Sequence, residues 1–594
     1  MRRMRFMRYT SLLAALICLP CSTLTAEPAA PAPQTTAKLE LKPCTTIPGA
    51  PPRARCGTYE VWENRAARSG RKIPLRVLVI PATGTDRLPD ALTIFGGGPG
   101  ESSVAIAPDA PLIFGSLHER RDILLVDFRG TGGSGGLFCP ELQGRAGLQA
   151  SLEHYLAPDQ VRACYQRLAK TADLSQYNNA NSVDDIEEVR AALGYEKLNI
   201  FGGSGGTKSA LVYLRRHPGS VRTAVLSGVA PPDEKGPFHM ARHAQRALDG
   251  VVAECEADAD CQKAFPRLRE EIATVLQKSE KEPAVVTVTE GGTGQPVEVR
   301  MTRNAVAQTL RYMLYRPLSA SLLPLNLHLA AQGDWSALGE STAYSFGGGD
   351  LPLIADGYYL SLTCSEDLPF IREEEIPAAI QGTFLGDFRI RKQQAACAAW
   401  PVPPADRTFI EPVVSEVPTL LLSGERDPVT PPVNGERAAR TLKNSLHLVQ
   451  PDAGHSSFGI EGAFECYDSL IARFIEAGTV QGLDTSCMNR LKRPAFALRR
   501  DPEVTLPADQ LARLTGTYKD RERGVEIRVE TRGNLLRVLQ EEQPALTLRA
   551  ISPTRFRIEG MPPGFYVNFQ VADGRVTSCT LPWSEDQPLQ REGA

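Results

Sequence analysis

The sequence predicts an α/β protein: a mainly parallel sheet covered by helices on both faces, broken by one long helical insertion and followed by a small all-β domain. Three observations predict it. An apolar run at Lys197-Leu-Asn-Ile-Phe201 stops at glycines around one serine and gives way to a helical pattern over 208–216. Apolar runs alternate with helical patterns from 91 to 227, and again from 418 to 477. Residues 508–590 instead alternate apolar and polar positions with the two-residue period of half-buried strands.

At 594 residues the chain is too long for one core, and its 42% apolar content is that of a globular protein. A net charge of −3 offers no basic field, so no nucleic-acid partner is expected. Residues 1–26 read as a secretory signal peptide. Arg2, Arg3, Arg5 and Arg8 precede an apolar run over 11–19 that is too short to span a bilayer, and cleavage is expected after Ala26. Pro20 before Cys21 argues against a lipid anchor, and no later stretch reads as transmembrane. The mature protein is therefore expected to be exported, to the periplasm or the medium, with no membrane partner.

Of the 13 cysteines, Cys18 and Cys21 leave with the signal. In an oxidising compartment the rest are expected mostly to pair. Sequence does not dictate connectivity, but the cysteines fall in neighbouring couples: Cys44–Cys56, Cys139–Cys164, Cys255–Cys261, Cys364–Cys397 and Cys466–Cys487, with Cys579 left over. No Cys-x-x-Cys with a partner histidine stands in the mature chain, so no metal site is expected, and no cofactor is implied.

Residues 27–40, rich in Ala, Pro and Thr, read as a disordered leader. The first part of the core domain follows over 41–233. Tyr59-Glu-Val-Trp62, a Ser69-Gly70 turn and the run 73–80 read as a hairpin that opens the sheet. Ala91-Leu-Thr-Ile-Phe95 is a short buried strand running into Gly96-Gly-Gly-Pro-Gly100. Glycines at a strand end leave backbone N–H groups uncovered, and those of Gly97 and Gly98 can face a developing oxyanion. The run 122–128 is the next strand. Ser182 and Asp185 read as the capping box of a helix with a Val183, Ile186, Val189, Leu193 stripe, ended by Gly194.

Then come the strand, Gly202-Gly-Ser-Gly-Gly206 and a helix, which together make a nucleophile elbow. The turn is strained, and Gly202 and Gly206 give Ser204 its room. Gly132-Gly-Ser-Gly-Gly136 matches the same pattern literally, but Ser134 has loop on both sides and reads as a loop residue. A strand over 221–227 follows.

From 234 to 412 the alternation is lost. This segment reads as mostly helical, with 241–255 and 304–315 as clear cases, and forms a cap domain inserted over the active site. The second part of the core, 413–491, resumes with Pro418-Thr-Leu-Leu-Leu-Ser-Gly-Glu-Arg-Asp427. Its last strand, 446–449, leads to Asp452-Ala-Gly-His455, and the helix 463–477 closes the domain. Asp427 and His455 each sit just past a strand's carboxyl end, where sites form in open α/β sheets. The order Ser…Asp…His is that of the α/β-hydrolase fold. In it His455 takes the Ser204 proton, while Asp427 holds the imidazole tautomer and stabilises the imidazolium. After a Pro/Arg linker over 492–507, the β domain of 508–590 reads as a sandwich or a barrel and contains no catalytic constellation.

With these residues laid out, the chain resembles the prolyl/tripeptidyl aminopeptidase branch of the α/β-hydrolases over roughly residues 40–490. Gly97-Gly-Pro-Gly100 resembles the family's His-Gly-Gly-Pro-Gly oxyanion segment, with Gly96 at the histidine position. Asp127-Phe-Arg-Gly-Thr-Gly132 resembles its Asp-Gln-Arg-Gly-x-Gly. Gly202-Gly-Ser-Gly-Gly-Thr207 resembles Gly-Gly-Ser-Tyr-Gly-Thr, with Gly205 in place of a larger residue and its N–H still available to an oxyanion. Gly424-Glu-Arg-Asp-Pro-Val-Thr-Pro431 and Gly454-His-Ser456 resemble the acid and base segments.

The family cleaves residues from free N-termini. The resemblance therefore implies peptide substrates with a free N-terminus, and acidic cap residues that bind the α-ammonium. Thr363-Cys-Ser-Glu-Asp367 resembles a cap segment of the secreted members, which implies Glu366 and Asp367 as amine anchors, with Glu101 beside the oxyanion glycines as another. The implied activity is that of an exported serine aminopeptidase releasing one to three residues through an acyl-enzyme. A carboxylic-ester hydrolase using the same triad is the other reading, because esters and amides share the tetrahedral intermediate. A non-catalytic binding protein on this scaffold is a third, countered by the complete set of triad and oxyanion elements. The sequence assigns no oligomeric state.

Overall fold

Apolar runs from both parts of the core pair into one nine-stranded sheet. The computed structural model describes residues 39–594 apart from 144–146, 154–155, 292, 347–353, 521–523, 541–542, 544, 583–586 and 594. The expected signal (1–26), and the leader (27–40) up to residue 38, lie outside the described residues. In chain order the sheet begins with β1 (Lys42–Pro43), β2 (Arg55–Trp62), β3 (Lys72–Ile80), β4 (Ala91–Phe95) and β5 (Asp122–Val126). Helix α1 (Asn179–Leu193), β6 (Leu198–Gly203), α2 (Gly205–Arg216) and β7 (Val221–Ser227) follow.

The insertion contains α3 (Met240–Ala257), the hairpin β8 (Val285–Thr289) and β9 (Pro296–Arg300), α4 (Arg303–Met313), α5 (Ser336–Phe346), α6 (Asp356–Leu362) and α7 (Phe388–Ala398). Strands β10 (Thr419–Gly424) and β11 (Ser445–Gln450) and helix α8 (Ala463–Ala477) complete the core. The strand order is β1-β2-β3-β5-β4-β6-β7-β10-β11. Pairing is antiparallel up to β3–β5 and parallel from β5–β4 onward. This is an α/β-hydrolase fold, with a mainly helical cap inserted between β7 and β10.

The near-continuous apolar character of these strands follows from burial on both faces. Leu124 and Val126 of β5 pack into one core cluster with Leu75, Ile200, Leu226 and Leu421. Their neighbours Ile123 and Leu125 pack on the other face with Leu78, Leu92, Val225 and Leu420. The insertion has a core of its own around α3, α4 and α5, which includes Leu248, Val306, Leu310 and Leu338. Residues after 354 behave differently, for Tyr358, Leu362 and Trp400 join the sheet's core. The cap is therefore anchored through its second half.

The expected capping box at Ser182 is not formed. Helix α1 starts earlier, with Asn178 as N-cap accepting from the Asn181 N–H. Ser182 lies inside the helix, its hydroxyl donating to the Asn178 carbonyl at 2.8 Å. Asp185 is drawn away by Arg129, which it pairs with at 2.7 and 2.8 Å, both groups fully buried. A buried guanidinium demands a carboxylate more strongly than a helix terminus does. Gly194 ends the helix in the left-handed conformation, as expected.

The C-terminal strands β12 (Gly516–Asp520), β13 (Val525–Arg532), β14 (Leu535–Leu539), β15 (Leu546–Ala550), β16 (Arg555–Ile558), β17 (Tyr566–Ala572), β18 (Arg575–Thr580) and β19 (Leu589–Arg591) form a closed antiparallel barrel. Pairing of β12 with β19 closes it, so among the described residues no edge of the barrel is left free. The Asp573-Gly574 turn joins β17 to β18 with both residues at positive φ, the conformation that matches the twist of a two-residue hairpin. Ile527 and Val529 point into the barrel core. On the barrel's side facing the cap, Arg557 pairs with Glu340 of α5 at 2.9 and 3.0 Å, and Arg500 reaches the same carboxylate at 2.7 Å.

Five disulfides join Cys44–Cys56, Cys139–Cys164, Cys255–Cys261, Cys364–Cys397 and Cys466–Cys487. Cys579 is buried and free. Among the described residues no helix is long and apolar enough to cross a membrane.

Candidate active site

Strand β6 ends in a turn that forces Ser204 to φ +47° and ψ −120°. A non-glycine residue held there carries strain of about 1–3 kcal/mol, which the surrounding structure must impose. The imposing contact is close packing of the elbow under the glycine loop after β4. A Cβ on Gly206 would lie 2.2 Å from the Phe95 carbonyl oxygen, and one on Gly205 2.7 Å from that of Gly97. The smaller residue after the nucleophile is thus explained: the loop occupies the space a side chain would need.

Ser204 Oγ lies 2.9 Å from His455 Nε2, and His455 Nδ1 lies 2.7 Å from Asp427 Oδ2. Asp427 is fully buried and accepts from the Val429 and Thr430 N–H groups and from the Thr430 hydroxyl, at 2.7–2.8 Å. Burial pushes its pKa up, but the His455 imidazole and these hydrogen bonds outweigh that and hold the carboxyl below its usual value. An ionised Asp427 can only accept, so Nδ1 carries the ring proton and Nε2 is left to accept from Ser204. Three residues far apart in sequence are therefore brought into the arrangement expected of a nucleophile, a base and an orienting acid.

The glycines expected to receive an oxyanion lie beside Ser204, with one difference from expectation. The loop at Gly97 passes within 3.6 Å of Ser204 Cβ, measured from the position a Gly97 Cβ would take. However, the Gly205 N–H donates to the Gly97 carbonyl at 2.8 Å. A buried N–H finds an internal partner where it can. A substrate oxyanion reaches this donor only by displacing that carbonyl.

The carboxylates implied as amine anchors line the same cleft, a cavity of about 580 Å³ that also holds Ser204 and His455. Helix α6 continues into a π-helical turn at Thr363–Asp367 that presents both acids. Glu366, 2% exposed, accepts from the Asn179 N–H at 2.8 Å and from its side-chain amide at 2.5 Å. Burial pushes its pKa up to about 7, against the pull of Asn179 and the Lys208 ammonium. Asp367 instead pairs with Lys208 Nζ at 2.6 Å, so its charge is already matched. Glu101 folds back over the oxyanion loop, against Gly98.

Sequence reasoning missed Asn179, Lys208 and Thr430. Thr430 stands three residues after Asp427 within the quoted acid segment, which was its available signal. Asn179 and Lys208 carry none, because their partners Glu366 and Asp367 are more than 150 residues away along the chain. The Asp127 segment proves structural. Its carboxylate binds Ser102 Oγ and the N–H groups of Val104 and Gly133, tying the loop after the oxyanion glycines to the sheet. Ser134 belongs to the same knot: its hydroxyl donates to the Asp127 carbonyl and accepts from the Arg76 N–H.

The chain is similar to known proteins over much of its length. Residues 382–487 match the family described as TAP-like protein. The chain is 25% identical over 497 residues to the serine protease Hip1 of Mycobacterium tuberculosis, covering 75% of this chain and 89% of that protein. It is 23% identical over 483 residues to the tripeptidyl aminopeptidase of Streptomyces lividans, covering 76% and 87%. A proline iminopeptidase-related protein of Thermus thermophilus, known as a crystal structure, aligns at 18% identity over 72% of this chain and 99% of its own, with a TM-score of 0.32.

Proposed function

On the premise that the chain is a serine hydrolase of the α/β-hydrolase fold, homologous to serine peptidases and carrying a TAP-like segment, we propose that it is an exported aminopeptidase. Ser204 attacks the scissile carbonyl while His455 Nε2 takes the hydroxyl proton. Asp427 steadies the imidazolium, and Thr430 steadies Asp427. The N–H groups of Gly97 and Gly98, joined by that of Gly205 once the Gly97 carbonyl turns aside, receive the tetrahedral oxyanion. His455 then protonates the leaving amine, and water, activated the same way, releases the N-terminal fragment from the acyl-enzyme.

The observation that carries the reading beyond a bare hydrolase is the carboxylate lining of the cleft. Glu366 and Glu101 line the same cleft as Ser204, where a charge-assisted bond to an α-ammonium is stronger than in open water. Asp367 takes a lesser part, since Lys208 already neutralises it. Five disulfides support an oxidising compartment, periplasmic or extracellular.

The test is hydrolysis of chromogenic mono-, di- and tripeptides with free and blocked N-termini, and of a short-chain ester, by the protein and by Ser204→Ala. Cleavage restricted to free N-termini is expected, with Ser204→Ala lowering kcat by up to about 10⁶. Ester cleavage without peptide cleavage would overturn the aminopeptidase reading.

A further inference from the structure

A second cavity, of about 930 Å³, lies between the cap and the C-terminal barrel. Its cap wall includes Gln308 of α4 and Phe346 of α5, and its barrel wall includes Val538, Gln540 and Leu546. It adjoins the active-site cleft: Tyr312, Tyr315 and Arg389 line both. The shared wall is an aromatic stack. Phe346 meets Tyr312 edge-on at 4.5 Å, Tyr312 stacks on Tyr315 at 5.1 Å, and Tyr315 meets the His455 ring at 5.2 Å.

The chemistry gives this junction a direction. His455 must hand its proton to the leaving amine, so the leaving group departs on the His455 side. The second chamber opens on that side, next to Tyr315. A further observation asks for a ligand: Gln308 is 4% exposed, lines the chamber, and its Oε1 has no hydrogen-bond partner. A buried amide oxygen left without a donor costs about 1–3 kcal/mol, which a peptide N–H in the chamber recovers once the Gln308 amide turns toward it.

We propose that this chamber binds the peptide segment on the carboxyl side of the scissile bond, and that the C-terminal barrel is a wall of the substrate site. The inference rests on the aminopeptidase reading and extends it. It accounts for a barrel without catalytic groups of its own: docked by Arg557 and Arg500 on Glu340, it encloses the space into which the leaving peptide passes. The substrate is then a peptide with a downstream tail.

The experiment compares two substrates with the same N-terminal residues, one ending in a small chromogenic amine and the other continuing as a longer peptide. Ala545→Trp fills the chamber from the barrel side, Gln308→Leu removes the unpaired oxygen, and Val571→Trp adds the same bulk at an exposed barrel position outside the chamber. For the first two, kcat/KM on the tailed substrate is expected to fall about tenfold or more, a loss of about 1.4 kcal/mol. Activity on the chromogenic amine and the rate of fluorophosphonate labelling at Ser204 should stay within about twofold. Val571→Trp should move neither. Equal falls on both substrates, or an unchanged ratio in every variant, would overturn the chamber assignment alone. Wild-type protein that cleaves esters and neither peptide substrate would overturn the aminopeptidase reading with it.

Discussion

Glu366 is the residue whose chemistry most depends on where the fold has put it. In water its carboxyl would be ionised well below neutral pH; burial raises its pKa to about 7. The sign of the consequence is plain. Because the folded value lies above the ordinary one, its contribution to stability is fully present below about 4.5 and is lost as pH rises through about 7. Ammonium binding runs the other way, since it needs the charged form. We therefore expect kcat/KM for free-amine substrates to fall as pH drops below about 7. In Glu366→Gln that acid limb should shift, and most of the preference for free over blocked N-termini should be lost. A pH–rate profile of both proteins checks this, and an unchanged limb in the variant would remove Glu366 from the amine site.

At the scale of elements, the elbow shows how tightly two strand ends must agree. Strand β4 delivers the glycine loop and β6 delivers Ser204, and the two strands pair in parallel from Ala91–Leu198 to Phe95–Gly202. At Gly206 an added methyl meets two backbone carbonyls, at 2.2 and 2.5 Å, which cannot step aside as a flexible side chain would. Gly206→Ala should therefore cost about 1–3 kcal/mol by overpacking and slow the labelling of Ser204 by a fluorophosphonate. A denaturation midpoint and a labelling rate, both equal to those of wild type, would contradict this packing account. Helix α1 illustrates the opposite case. Its stripe and its terminal Gly194 were legible locally, but its start falls at Asn178, and Asp185 is engaged by Arg129, a partner distant in the chain.

At the scale of the whole molecule, the barrel and the cap are joined through charges that sequence presents as scattered surface residues. Glu340 is 9% exposed and receives Arg500 and Arg557, while Arg557 also reaches Glu503. Removing Glu340 leaves Arg557 and Arg500 with Glu503 as their remaining carboxylate, a loss smaller than the about 3–5 kcal/mol of a wholly unpaired buried charge. We expect Glu340→Ala to loosen the barrel, giving a separate early unfolding transition and faster proteolysis in the 492–507 linker. Glu340→Gln should fall between it and wild type. One cooperative transition at the wild-type midpoint in Glu340→Ala would show that the network does not dock the barrel.

The sequence by itself determined what local pattern can encode: parallel strands from apolar runs, the Ser204 elbow from its glycines, Asp427 and His455 from their places after β10 and β11, and a β domain from two-residue alternation. It left sandwich and barrel equal, because closure depends on the pairing of β12 with β19, more than 60 residues apart. Only the tertiary structure decided that Asp367 is neutralised by Lys208, that Asn179 holds Glu366, and that the Gly205 N–H is engaged by Gly97. The same is true of the chamber that the barrel closes beside His455. Each of these is a contact between residues distant in the chain, where electrostatics and burial act through space and leave no period or spacing to read.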